Sequence, residues 1–273
     1  MEIDLTNYET EKIENTSSKG NQFKWKIDDL WYKADFIGYE GLAEVVVSDI
    51  LKKSNIKSFC QYDPVKITYR ENFYNGCVSN NFLKKNETLT TLEKIGRQFT
   101  GNSIGDFLGG SNMSDTKIET TMNFLERINV LDAGKYLTAL IELDALTLND
   151  DRHTNNIGFI VIGNQIKPAP IFDNGGSLFS DESMYPYGKS IEYLLSKIEA
   201  KPFSTNFDVQ KRIFESLYGK AFKTSYNKND LKKSLDRCAD YYRDQQLKRV
   251  EDIMNIQLEK YKDLIVKPKE YER

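Results

Sequence analysis

Asp151, Asn156 and Asp173 are the side chains whose types and spacing carry chemistry; all three lie in the stretch 148–178, LNDDRHTNNIGFIVIGNQIKPAPIFDNGGSL. A carboxylate, a carboxamide five residues later and a second carboxylate after a returning strand make the arrangement phosphoryl transfer needs. The first takes or orients the nucleophile's proton, and the other two hold metal ions on nucleotide phosphates. Asp and Asn also bond their own backbone in turns, so the competing reading is a plain helix-to-strand connection. Spacing alone does not separate the two, since Asp150 to Asn155 satisfies it as well as Asp151 to Asn156. The surroundings do. A buried-type helix (136–148) precedes the loop, and a hairpin follows it, 157–162 and 165–172 around a Gly163-Asn164 turn. Then comes Phe172-Asp173-Asn174-Gly175, where glycine lets the chain turn away from a metal-binding carboxylate.

The elements before this stretch read as a small sheet lobe. A short hydroxyl-rich loop, with Ser17, Ser18, Lys19 and Gly20, precedes strands 23–27 and 30–36 joined at Asp28-Asp29. Such a loop covers nucleotide phosphates with backbone N–H groups and little side-chain bulk. Strand alternation puts Trp31, Lys33 and Asp35 on one face and Tyr32 and Ala34 on the other. By itself Lys33 is a snorkelling edge lysine. The segment 41–53 has the apolar spacing of a helix packed on the sheet, and a kinase needs one acidic residue here to hold the strand lysine. Glu40 and Glu44 are four apart and share a face. Position along the helix favours Glu44, and the choice stays open. Strands 65–69 and 74–78 complete the sheet, and element order puts a hinge at 77–81, with the backbone of Cys77 and Val78 offered to the adenine edge.

From Thr88 onward the pattern is helical, over 92–99, 119–130, 135–148, 190–198, 208–218 and a long run 230–265. The glycine-rich 101–114 reads as a loop. The segment 174–189 reads as an activation-type loop, a substrate platform or an ordinary connector. The expectation is an α+β, bilobal, protein-kinase-like fold. It has a polar arm at 1–15, a nucleotide-covering sheet lobe with one helix at 16–80, and a mainly helical lobe with the catalytic loop and metal-binding hairpin at 81–273.

The run Asp151-Arg152-His153-Thr154-Asn155-Asn156, with Ile171-Phe172-Asp173-Asn174-Gly175, resembles the D-x-H-x-x-N loop and DFG-like metal aspartate of the HipA-fold serine/threonine kinases. It is most similar to their short, CtkA-like bacterial members. The resemblance selects the register Asp151/His153/Asn156. His153, the only histidine of the chain, is expected to brace the loop while Asp151 meets the substrate hydroxyl. The resemblance further implies that Lys33 contacts the nucleotide phosphates, and it favours Glu40 over Glu44. It implies ATP and Mg2+ as cofactors and serine or threonine of a protein as acceptor. Autophosphorylation is implied at Ser17 or Ser18, with Thr16 as an outside candidate, where a charge of about −1.5 to −2 would oppose the ATP phosphates. Several members are toxins of toxin–antitoxin modules, so an antitoxin-type or regulatory partner belongs to the implication. The extra N-terminal subdomain of the larger HipA proteins is not expected in a chain of this length, which favours the compact CtkA-like comparison.

Composition bounds the rest. The chain has 273 residues, enough for one sizeable core or two small lobes. Its 38 basic against 41 acidic residues give a net charge of −3, which argues against nucleic acid as the main partner. Cys60, Cys77 and Cys238 are too far apart for a thiol–metal spacing and read as reduced. No segment approaches the roughly 18 apolar residues of a membrane span, so no membrane is expected and the location is cytoplasmic in the producing cell, with export lacking a cleaved signal left open. Two alternatives stand beside the protein kinase. One is a kinase-fold nucleotide-binding module without transfer activity, and the other is a small-molecule or lipid kinase on the same scaffold.

Overall fold

The computed structural model describes residues 1–10, 22–110 and 113–267. In chain order the elements are β1 (Glu2–Asp4), β2 (Lys24–Ile27), β3 (Leu30–Ala34), α1 (Glu40–Lys52), β4 (Tyr62–Tyr69), β5 (Asn72–Asn80), β6 (Thr88–Thr91), α2 (Leu92–Thr100), α3 (Ile104–Gly110), α4 (Ser114–Arg127), α5 (Ala133–Thr147), β7 (Gly158–Ile162), β8 (Gln165–Pro168), α6 (Ile191–Leu195), α7 (Phe207–Tyr218), α8 (Lys228–Cys238) and α9 (Asp244–Lys260). The expected α+β class is what the structure has. The chain divides into two compact units, the first made of Met1–Asn81, Asp173–Lys197 and Thr224–Arg273, the second of Phe82–Phe172 and Ile198–Lys223.

In the first unit a five-stranded sheet runs in the order β1-β4-β5-β3-β2. The β1–β4 pair is parallel and the others are antiparallel. Alternation sends Trp25, Tyr32, Ala34, Val65, Ile67 and Val78 to one face, where they form a buried cluster with Leu5 and Tyr69. The opposite face carries Lys33 toward α1. At its entry α1 comes so close to β5 that a Cβ on Gly41 would lie 2.7 Å from the carbonyl carbon of Gly76, which only glycine permits.

Four expectations change in this unit. Where a polar arm was expected over 1–15, Glu2–Asp4 pairs with Lys66–Thr68, because Leu5 buries fully and draws the chain onto the sheet edge. Cys77 and Val78 do not form a hinge with backbone offered to adenine. Both sit inside β5 with strand neighbours on both sides, Cys77 between Lys33 and Pro64 and Val78 between Tyr32 and Asp63. The run 81–273 is not one lobe, since Asp173–Lys197 and Thr224–Arg273 belong with the sheet. Thr224 Oγ1 donates to Ile50 O (3.2 Å) and Lys53 O (3.1 Å) at the end of α1, and the Arg237 guanidinium of α8 pairs with Asp49 (3.0 Å) and Asp63 (3.1 Å). The single helical run expected over 230–265 is α8 followed by α9. The N–H groups of Tyr241 and Tyr242 both bond Cys238 O and close α8, and Gln246 Oε1 accepts the Arg243 N–H to open α9.

In the second unit β6, β7 and β8 form an antiparallel sheet in that order, with Gly163 at left-handed φ (57°) in the β7–β8 turn. The sequence reading missed β6, whose Thr-Leu-Thr-Thr reads as polar but whose β-branched side chains suit a strand. The expected loop 101–114 contains α3, because Ile104 and Leu108, four apart, both bury. Helix α5 is buried from Leu137 to Thr147 and packs on α7. Its Glu142 accepts the N–H groups of Ala221 (3.0 Å) and Phe222 (2.7 Å). Burial, joined by the neighbouring Glu215 carboxyl, raises Glu142 to about 8. No helix among the described residues is long and apolar enough to cross a membrane.

Candidate active site

In the first unit the site is built on Lys33, which is 8 % exposed. Its ammonium donates to Glu44 Oε1 at 2.6 Å, to Asp173 Oδ1 at 2.8 Å and to Tyr62 Oη at 3.4 Å. Burial opposes the charge, but the carboxylates of Asp173 and Glu44 outweigh it and hold the lysine well above its ordinary range. Glu44 also accepts the Asn174 N–H through Oε2 at 2.8 Å, so one carboxylate fixes both the strand lysine and the turn after Asp173. Asp173 itself takes a left-handed φ of 58°, a conformation Asp tolerates better than most residues and one concentrated at functional sites.

Glu40 does something else. Its carboxylate accepts the backbone N–H groups of Phe36 (3.2 Å), Ile37 (3.0 Å) and Gly38 (3.1 Å), closing the β3–α1 loop. The choice left open between the two glutamates is thus resolved by geometry, Lys33 pairing with Glu44. Lys24, which the sequence reading left unremarked, is the cross-strand partner of Lys33 and brings a second ammonium to 3.8 Å from Asp173 Oδ1. The signal was there. A two-residue turn at Asp28-Asp29 forces position 24 opposite 33 and onto the same face. Ser17, Ser18, Lys19 and Gly20 lie outside the described residues.

In the second unit the loop after α5 carries Asp151. Leu148 leaves the helix with left-handed φ (55°), and the Asn149 N–H bonds Asp144 O at 3.0 Å. A chain of short-range bonds follows: Asp151 N–H to Asn149 Oδ1 (3.1 Å), His153 N–H to Asp151 O (2.9 Å), and Asn156 N–H to His153 O (2.8 Å). Asn156 Nδ2 donates to Asp151 O at 2.9 Å, which leaves its carboxamide oxygen as the acceptor end, the end a metal ion uses. Beneath the loop, Arg152 is 1 % exposed and bonds Asp144 through both Nε (2.9 Å) and Nη2 (3.0 Å). Its Nη1 reaches Asn156 O (2.9 Å) and Phe172 O (3.3 Å). Burial pushes the Asp144 carboxyl up despite the arginine.

His153 Nδ1 accepts the Asn155 N–H (3.2 Å), so a neutral ring carries its proton on Nε2, 3.9 Å from Asp151 Oδ1. Lys201 reaches the same oxygen at 4.0 Å. Nothing in the sequence pointed to it. On the far side, Glu93 accepts from Thr154 Oγ1 (3.1 Å), the Gly105 N–H (2.8 Å) and Arg97 Nε (2.8 Å), tying the loop to α2 and α3. The neighbours His153, Lys201 and Asn156 gather around Asp151.

The donor types fit magnesium, a hard cation that takes carboxylate and carbonyl oxygens. Among the described residues no group of three or more His, Cys, Asp or Glu side chains is placed to hold an ion alone.

No family model matches the sequence, and no curated protein matches it either. Solved structures do. The proinflammatory kinase CtkA of Helicobacter pylori superposes with a TM-score of 0.62 at 16% identity, over 97% of this chain and 96% of that one. HipA of Shewanella oneidensis MR-1, solved in a toxin–antitoxin complex with HipB and operator DNA, superposes with a TM-score of 0.53 at 12% identity, over 96% of this chain and 69% of that one. The fold is therefore the HipA/CtkA kinase-like fold, and at these identities the likeness establishes the fold alone.

Proposed function

We propose that the chain is an ATP- and Mg2+-dependent protein serine/threonine kinase of the HipA/CtkA type. The observation that carries this reading is the Lys33 ammonium seated between Glu44 and Asp173, partners 11 and 140 residues away in sequence. A lysine locked by a helix glutamate beside a metal-type aspartate is the arrangement that grips nucleotide phosphates in kinases. In this reading Lys33, with Lys24 beside it, holds phosphate oxygens, and Glu44 keeps Lys33 aimed. Asp173 and Asn156 supply oxygens to magnesium, which when bound offsets charge on the phosphates. Asp151 orients the acceptor hydroxyl and receives its proton, and the backbone bonds of its loop keep it in place before substrate arrives. Ser17 and Ser18 are the proposed self-modification sites, and an antitoxin-type or regulatory partner is the proposed class of binding partner.

Asp151→Asn tests the reading. Transfer from radiolabelled ATP to myelin basic protein, and to the chain itself by mass spectrometry, should fall by at least about 1,000-fold. ATP with magnesium should still raise the melting temperature by mass action. Transfer at the wild-type rate would remove Asp151 from the mechanism. A wild-type chain that binds ATP and transfers to neither acceptor would be a binding module instead.

A further inference from the structure

Lys201 follows Asp151 by 50 residues, yet its ammonium stands 4.0 Å from Asp151 Oδ1. The backbone that carries it is pinned. The Ala200 N–H bonds Thr205 O at 2.9 Å, Gln210 Nε2 donates to Lys201 O at 3.3 Å, and the fully buried Phe203 sets its ring 5.2 Å from that of Phe214. The side chain itself is 46% exposed. Compare Arg152–Asp144 in the same unit, closed to 2.9 Å with both side chains buried. A structural ion pair looks like that one. A fixed backbone that holds a half-exposed cation just beyond hydrogen-bond range of one carboxylate oxygen suits a group that changes partner during a reaction.

We propose that Lys201 is a further catalytic residue of the phosphoryl transfer, its ammonium moving from Asp151 to the γ-phosphoryl oxygens as the acceptor hydroxyl attacks. The inference rests on the kinase reading above. In the step, the hydroxyl oxygen forms a bond to the γ-phosphorus and the bond from that phosphorus to the β,γ-bridging oxygen breaks. The electron pair of the broken bond stays on ADP, and the hydroxyl proton passes to the Asp151 carboxylate. Lys201 keeps its three protons throughout and donates hydrogen bonds to oxygens on which negative charge gathers. Protonation of Asp151 weakens its hold on the lysine at the same moment, so the exchange runs with the reaction.

The test uses the full chain with saturating magnesium-ATP, following ADP release and transfer to myelin basic protein for Lys201→Met, Lys201→Arg and Asp151→Asn. Lys201→Met should lower kcat about 100-fold, the low end for loss of a charge-stabilising donor. Its KM for ATP should stay within about twofold and its melting temperature should not change, as expected of an interaction made only in the transition state. Lys201→Arg should recover most of the rate. Wild-type kcat in Lys201→Met overturns the inference, as does an equal loss in both variants with lowered melting temperatures, which would mark Lys201 as structural. An inactive Asp151→Asn beside a fully active Lys201→Met leaves the kinase reading standing and removes only Lys201. An active Asp151→Asn, or a wild-type chain that releases no ADP, overturns both.

Discussion

Around Lys33 position is set by charge, and around Asp151 by backbone. In the first unit one ammonium lies between two carboxylates, a second lysine approaches one of them, and Glu44 ties the group to Asn174. In the second, Asp151 rides on a ladder of local N–H bonds, and a buried ion pair, Arg152–Asp144, lies beneath the loop as a brace. In the proposed kinase the difference suits the two tasks. Groups that meet a polyanion must be charged and must exchange partners when it arrives. A group that aligns a single hydroxyl gains from a scaffold that does not move.

The buried brace beneath the Asp151 loop carries the largest expected effect. Asp144→Ala leaves Arg152 charged, buried and without its carboxylate, which costs about 3–5 kcal/mol. At about 2–4 °C per kcal/mol the midpoint of thermal unfolding should drop by roughly 10 °C. A variant that melts within a degree of wild type would show that the loop does not depend on its brace. Lys33→Met should be milder in stability and severe in binding. It leaves Glu44 and Asp173 facing each other without the cation, at a cost of about 1–3 kcal/mol, and it should abolish the thermal shift produced by magnesium-ATP. Retention of that shift would mean that phosphate recognition lies elsewhere.

The smallest effect concerns pH. Glu142 titrates at about 8 in the folded chain against 4.5 for an ordinary glutamate, so the folded state holds a proton that the unfolded state gives up. Its stabilising share is therefore complete below about pH 4.5 and is lost as pH rises toward 8. Glu142→Gln keeps an oxygen for the Ala221 and Phe222 N–H groups and carries no titrating proton. Between pH 5 and 8.5 the wild-type midpoint should fall by a few degrees more than that of the variant, at about 2–4 °C per kcal/mol. Asp35 and Asp144, also raised by burial, tilt the curve the same way in both proteins, so the difference isolates Glu142. Parallel curves would assign the slope to those groups instead.

Much of the fold was legible because its signals are local. The hairpin β7–β8 followed from alternation around Gly163-Asn164, and α1, α2, α5 and α7 from helical spacing, each within a few residues of the expected ends. The elements that escaped lacked a local signal or carried a misleading one. Helix α3 hides under three glycines, β6 is too short and polar, and β1 exists only because β4 offers it an edge. Cys77 and Val78 carry no local hinge signal, and β5 simply continues through them to Asn80.

What the sequence determined by itself is the local structure within reach of one turn: the Asp151–Asn156 loop, the Asp173 turn with its glycines, and the type of most elements. These depend on hydrogen bonds and periodicities that span a few residues. The tertiary structure alone decided that Lys33 takes Glu44 and leaves Glu40 to cap its loop, and that Lys24 joins it at Asp173. It also decided that Lys201 arrives beside Asp151. Electrostatic pairing depends on distance in space, and a carboxylate 140 residues away binds a lysine as firmly as one 11 residues away once the chain has brought both to the same point.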